Sequence, residues 1–223
     1  MQFKIRCSAI GDIMASPEKS ELPKGAITYA ENWYKEQLYN RSKEFTSKYT
    51  NKGNLVEDEA IDFIAQHFNY GYLVKNTQRF ENDFCVGTPD VLPKDEVIDN
   101  KSSWDCFTFP LFDAKIDKGY WWQLQGYMWL TNRKKAKLVY TLMDMPPAEL
   151  EKLYQSALFL PENKERDVME VFEAVRAQHS YSHLPANLRI KSFTFERDDE
   201  AIKQIEARVV AVRKYLETIK LTD

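Results

Sequence analysis

Apolar and polar positions along the chain mark its elements before any chemistry is considered. From Leu55 to Phe68, apolar residues fall at Ala60, Ile61, Ile64 and Phe68, steps of three and four that gather on one helical face. Two extended runs follow, Tyr72 to Phe80 and Phe84 to Leu92, joined by Glu81-Asn82-Asp83; turn-forming residues between apolar flanks predict a hairpin. Val97 and Ile98, behind the Pro93-Lys94-Asp95 turn, predict a third strand over Glu96 to Lys101. Tyr120 to Thr131 contains no breaker except Gly126 and reads as a second helix, with a strand from Ala136 to Leu142 after it. From about Pro146 to Asp223 the pattern is mainly helical, interrupted by a strand over Leu188 to Glu196.

Helix, three strands, helix, strand implies an α/β (α+β) core, a central mixed β-sheet flanked by helices, with a helical C-terminal extension. No repeat and no Gly/Ser- or Pro-rich linker divides the 223 residues, so a single domain is expected, with its core over about 1–142 and its extension over about 146–223. The last helix carries Ile202, Ile205, Val209, Val212, Leu216 and Ile219. Under three heptads long, that stripe reads as core packing, an oligomer interface being the alternative.

Hydrophobic content of 43% and aromatic content of 13% place the chain among ordered globular proteins. No apolar run approaches the ~20 residues that cross a bilayer, and Cys7, Cys85 and Cys106 form no C-x-x-C pair, which argues against a disulfide framework or a zinc site and fits a reducing cytoplasm. A formal net charge of −3 excludes nucleic-acid binding by overall basicity and confines any such contact to a local patch.

The candidate chemistry is a convergence of carboxylates. Glu57 on the first helix, Asp90 after Gly87-Thr88-Pro89 and Asp99 in Asp99-Asn100-Lys101 follow one another on helix, hairpin and third strand. If the hairpin reading holds, Asp90 and Asp99 reach one point across ~5 Å of strand spacing, and Lys101 shares a face with Asp99 because alternate strand residues point the same way. Phosphodiester hydrolysis needs charge neutralised at phosphorus, and carboxylate-held divalent metal does this; an ammonium beside it can orient water or stabilise the pentavalent phosphate, and the Asn100 carbonyl is a further hard oxygen ligand. Acid-x-Lys also occurs at Asp113 and Glu162, so the triplet alone identifies nothing. An ordinary strand-edge ion pair is the alternative for Asp99 and Lys101, and an acidic helix start for Glu57.

Gly53 to Glu57, then Gly87-Thr88-Pro89-Asp90, then Asp99-Asn100-Lys101, and finally Gln123-Leu124-Gln125-Gly126-Tyr127-Met128-Trp129 resemble the successive motifs of the phage lambda exonuclease and YqaJ-like viral recombinase family of PD-(D/E)XK nucleases, over about Gln2 to Leu142. The resemblance implies a restriction-endonuclease-like fold in which Asp90, Asp99, the Asn100 carbonyl and Glu57 bind one or two Mg²⁺ ions, with Mn²⁺ able to substitute. It further implies that Lys101 positions the nucleophile, that Gln123 and Tyr127 order water and phosphate, and that Ser8 grips a 5′-phosphate. The family's upstream arginine has no counterpart at its usual spacing; Arg6 is the nearest substitute.

The activity implied is 5′-to-3′ digestion of duplex DNA ends, leaving 3′ single-stranded tails for recombination. A separate single-strand annealing protein, a homo-trimeric ring and the cytoplasm of a phage's bacterial host are implied with it. A restriction-like or structure-specific endonuclease, and a non-catalytic DNA-end-binding protein, are the rival readings. Trp104, Phe107, Phe109, Phe112, Trp121, Trp122 and Trp129 are expected mostly in the core, stacking on bases being the alternative. Ser102 to Lys118 is expected as a loop near the DNA entrance.

Overall fold

The computed structural model describes residues 2–19, 21–42 and 48–220; residues 221–223, the tail of the expected extension, lie outside them. Strand β1 (Ile5–Arg6) leads through a 3₁₀ turn (Cys7–Ala9) into helix α1 (Ile10–Ile13), followed by α2 (Lys24–Tyr39) and α3 (Lys48–His67). A hairpin of β2 (Phe80–Glu81) and β3 (Cys85–Gly87) precedes β4 (Glu96–Ser102), α4 (Lys118–Thr131) and β5 (Lys135–Thr141). The rest of the chain supplies α5 (Pro147–Leu158), α6 (Val168–Gln178), β6 (Ile190–Glu196) and α7 (Asp199–Thr218).

Helices flank mixed sheets, the class that the pattern predicts, but the strands are divided between two sheets. One has the order β1-β3-β2, with β1 parallel and β2 antiparallel to β3; the other has the order β4-β5-β6, with β4 parallel and β6 antiparallel to β5. The hairpin is present but short, pairing Phe80 with Gly87 and Glu81 with Val86. Its turn is held by Asn82, whose side-chain oxygen accepts from the Phe84 and Cys85 amides. Pro89 cannot donate to a ladder, so pairing stops short of it. Most of the extended run expected from Tyr72 consequently has no partner strand and meets one only at the Lys75–Val91 bridge.

A second bridge ties the segment after Pro89 to β4 and sets the register of the site. The Val91 and Ile98 amides each donate to the other residue's carbonyl, at 3.1 and 2.9 Å, an antiparallel pair. One step outward in that register, Asp90 faces Asp99.

The main core packs Phe3, Ile5, Ile10, Leu124, Met128, Leu138, Ile205 and Val209 together. Helix α4 runs through its centre and is buried continuously from Trp122 to Met128, which is why it shows no single apolar stripe. Gly126 permits the close approach: a Cβ there would stand 2.5 Å from Ile10 Cδ1 and 2.9 Å from Cys7 Sγ. The stripe of α7 is core, with Ile202, Ile205, Val209 and Val212 buried, and the Asp198 side chain caps that helix by accepting from the Glu200 and Ala201 amides. Among the aromatics, Trp104, Phe109 and Trp122 are buried, Trp121 and Trp129 partly so, and Phe107 and Phe112 stand 93% and 92% exposed on the irregular segment between β4 and α4. Among the described residues no helix is long and apolar enough to cross a membrane, and all three cysteines are unpaired.

One fully buried lysine carries no mark in the sequence pattern. Lys52 on α3 donates to the carbonyls of Ser103, Trp104 and Met143 at 2.9, 2.8 and 2.8 Å, so its three N–H groups meet three acceptors just beyond the C-terminal ends of β4 and β5. Burial pushes its pKa down to about 8, against the pull of Asp105 and Asp144; the three-carbonyl cage fits the charged form. The contact ties α3, and with it Glu57, to the strand ends.

Candidate active site

Strand β4 owes its place to Val97 and Ile98, both fully buried, and the alternation that buries Val97 also carries Asp99 inward to 1% exposure. A carboxylate so placed is costly unless its oxygens are engaged. Oδ1 accepts from Gln123 Nε2 at 2.9 Å. Oδ2 lies 2.7 Å from Lys101 Nζ as an ion pair, yet receives no hydrogen bond of proper geometry. Facing it, Asp90 Oδ2 accepts from the Asn100 amide at 2.8 Å. Because N–H and C=O of one extended residue project to the same edge, the Asn100 carbonyl also faces Asp90 rather than β5.

Helix α4 begins where the Asp117 side chain accepts from the Gly119 amide at 2.6 Å. It presents Gln123 and Tyr127 four residues apart on one face, and Gln123 Nε2 also donates to the Tyr127 hydroxyl at 3.2 Å. The glycine of the Gly87-Thr88-Pro89-Asp90 turn makes room for that tyrosine, since a Cβ at Gly87 would lie 2.6 Å from Tyr127 Cε1. Lys101 Nζ sits 5.1 Å from the centre of the Tyr120 ring, a cation over an aromatic face.

The charges perturb one another as a close group must. Burial first, then the facing charge of Asp99, pushes Asp90 well above the usual carboxylate range; Glu57 adds to the push, and Lys101 and the Asn100 amide oppose it. Burial alone would favour a neutral Lys101, but Asp99 and Asp90 outweigh it and hold the ammonium above its ordinary range. Burial, followed by the same two carboxylates, raises the Tyr127 phenol, which therefore stays protonated.

Asp90, Asp99, Asn100, Lys101, Gln123 and Tyr127 are thus brought together. Glu57 is near enough to be felt by Asp90, but its carboxylate is held by Lys75, with Nζ 2.6 Å from Oε2. Among the described residues no three Asp, Glu, His or Cys side chains are gathered as a metal-ligand set. What does fit a cation is the buried Oδ2 of Asp99, met only by the Lys101 ammonium, the carboxylate opposite it, and a strand carbonyl on the same edge, all hard oxygen donors suited to Mg²⁺.

Ser8 and Arg6 both line a cavity of about 660 Å³ that also includes Arg79, Gly87, Thr88 and Tyr127. The cavity therefore opens beside the turn that ends in Asp90. Arg6 is ion-paired to Glu36 at 3.0 Å and so is not a free phosphate grip. Arg79, exposed and without an ion pair among the described residues, brings a cation to this cavity that sequence spacing did not reveal. Asn76 was equally illegible: its amide donates to the Asp90 carbonyl at 2.7 Å and its side chain to the Pro89 carbonyl at 2.9 Å, which fixes the Pro-Asp turn. Neither residue belongs to a motif, and contact across the hairpin was the only signal for them.

Neither a family model nor a curated protein matches the sequence. Solved structures do match. A phage-related exonuclease from Haemophilus somnus 129PT superposes with a TM-score of 0.76 at 28% identity, covering 97% of this chain and 95% of that one. An alkaline exonuclease from Laribacter hongkongensis gives 0.63 at 17% identity over 96% of this chain and 88% of that one, and its complex with dAMP gives 0.64 at 18% identity with the same coverage; at those identities the likeness is one of fold. The structural neighbours are thus a phage-related exonuclease and an alkaline exonuclease, in agreement with the resemblance carried by the motifs.

Proposed function

We propose that the protein is a metal-dependent DNA exonuclease that hydrolyses phosphodiester bonds from duplex ends in the 5′-to-3′ direction. The observation that carries this reading is the edge on which Asp90 faces Asp99, with Gln123 and the Asn100 carbonyl beside them and Asp99 Oδ2 met only by the Lys101 ammonium. The exonuclease neighbours support it. Asp90, Asp99 and the Asn100 carbonyl would hold Mg²⁺. When bound, the ion supplies the positive charge that phosphodiester hydrolysis needs and a source of hydroxide near neutral pH.

The chain's own residues have separable tasks. Gln123 fixes one oxygen of Asp99 and so aims the other, and the Asn100 amide does the same for Asp90. Lys101, kept charged, donates to the attacking water or to a phosphate oxygen as negative charge grows there. Tyr127, kept neutral, is a hydroxyl donor at the wall of the cavity that Ser8 and Arg79 line; that cavity suits the terminal 5′-phosphate and is the basis for the polarity.

The test is digestion of linear duplex DNA, labelled at either end, beside covalently closed circles in Mg²⁺. Loss of the 5′ label first, with circles intact, is expected. Cutting of closed circles would make the protein an endonuclease, and intact DNA throughout would leave a DNA-end-binding protein.

A further inference from the structure

The position of Lys75 on the hairpin's approach strand bears on how Glu57 becomes available. Its backbone is bridged to Val91, and the next amide, Asn76, donates to the Asp90 carbonyl at 2.7 Å, so Lys75 is anchored to the segment that carries Asp90. Its Nζ lies 2.6 Å from Glu57 Oε2, the one ion-pair partner it has among the described residues. The two side chains differ in exposure, 45% for Lys75 against 18% for Glu57. The lysine can therefore leave for water, whereas the carboxylate stays at the edge of the acidic group and is felt by Asp90.

Lys101 shows the contrasting arrangement. It is only 28% exposed, sits 2.7 Å from Asp99 and lies over the Tyr120 ring, a cation with two fixed neighbours. Lys75 has one, on a flexible four-carbon stem that carries a strongly hydrated point charge.

We propose that Lys75 is a built-in counter-ion that competes with divalent metal for Glu57: it neutralises that carboxylate while no metal is bound and releases it to join Asp90 and Asp99 when metal binds. The inference rests on the metal-dependent reading of the site. It explains why Glu57 is near enough to be felt by Asp90 and yet completes no three-carboxylate set among the described residues. It also assigns Lys75 to metal affinity rather than to the chemical step.

The experiment measures Mn²⁺ binding to the full chain without DNA, by counting free Mn²⁺ with electron paramagnetic resonance. Lys75→Gln should bind Mn²⁺ tighter than wild type, on the order of fivefold, the scale of one partly screened ion pair. Lys75→Arg should stay near wild type, and the gain should vanish when Lys75→Gln is made in a Glu57→Gln background. Equal or weaker binding by Lys75→Gln, or the same gain without Glu57, overturns the proposal while leaving the metal-dependent reading intact. A wild-type chain that binds no Mn²⁺ overturns both.

Discussion

Two buried charges in this molecule are handled in opposite ways. Lys52 is sealed at zero exposure and every one of its donors has a carbonyl partner within 2.9 Å. Asp99, at 1% exposure, has one oxygen met only by the Lys101 ammonium in an ion pair, with no hydrogen bond of proper geometry, and faces a second carboxylate raised in pKa by burial and by Asp99 itself. Protein interiors tolerate buried charge when its partners are complete. A carboxylate met mainly by an ion pair, in a group of opposed and perturbed charges, is the pattern that functional sites favour. Lys52 holds the frame together, and the Asp90–Asp99 edge is where the proposed function places a metal ion.

The largest effect that would break this contrast is on stability. Lys52→Met should cost roughly 3 kcal/mol or more, because three buried carbonyls lose their donor at once; denaturant unfolding measures it, and the activity of the folded fraction should persist. Next in size, Lys101→Ala should lower the rate of DNA hydrolysis by the folded fraction ~10²-fold or more, while the loss of the cation paired with buried Asp99 also lowers stability in denaturant.

Asp90→Asn should do the reverse of Lys52→Met and stabilise the metal-free protein at neutral pH. The sign follows from the raised pKa: the folded state keeps a proton that the unfolded chain has already lost, so this group's contribution to stability falls as pH rises from about 4 through the folded value. Denaturant midpoints across pH, without metal, should show that decline in wild type and a flatter profile in the variant. Metal binding, which requires the proton to leave, should strengthen over the same interval. Smallest of all, Tyr127→Phe removes a single hydroxyl that accepts from Gln123 and should slow hydrolysis by about tenfold at most, as steady-state rates can show.

How legible the two sites were differs for the same physical reason. Asp90, Asp99, Lys101, Gln123 and Tyr127 are side chains that sit in ordered motifs, on β4, on α4 and in the Gly87-to-Asp90 turn, so the motifs locate them where periodicity alone would not. Lys52 acts on backbone carbonyls, which any residues could supply, and no spacing announces it. Lys75 and Arg79 sit on a run that reads as a long strand but finds almost no partner, so their nearness to Glu57 and to the cavity depends on where the hairpin folds back.

Helix α2 escaped the pattern because its fully buried residues are only Ala26 and Ala30, small residues beside the half-buried Tyr29 and Trp33 that pack on the core. The division into two sheets was hidden too, since only Pro89 and the single Val91–Ile98 bridge separate a continuous ladder from a broken one. Strands β4, β5 and β6 and helix α7 were legible throughout, because their apolar residues meet a core whose faces they match.

The measurement closest to the centre of this account is hydrolysis of one linear duplex by wild type and by Asp99→Asn, each with Mg²⁺ and again after excess chelator. The account predicts digestion by wild type in Mg²⁺ alone, arrest when the chelator is added, and none by Asp99→Asn although that variant unfolds cooperatively. Digestion that survives the chelator, or that Asp99→Asn sustains at the wild-type rate, would contradict it.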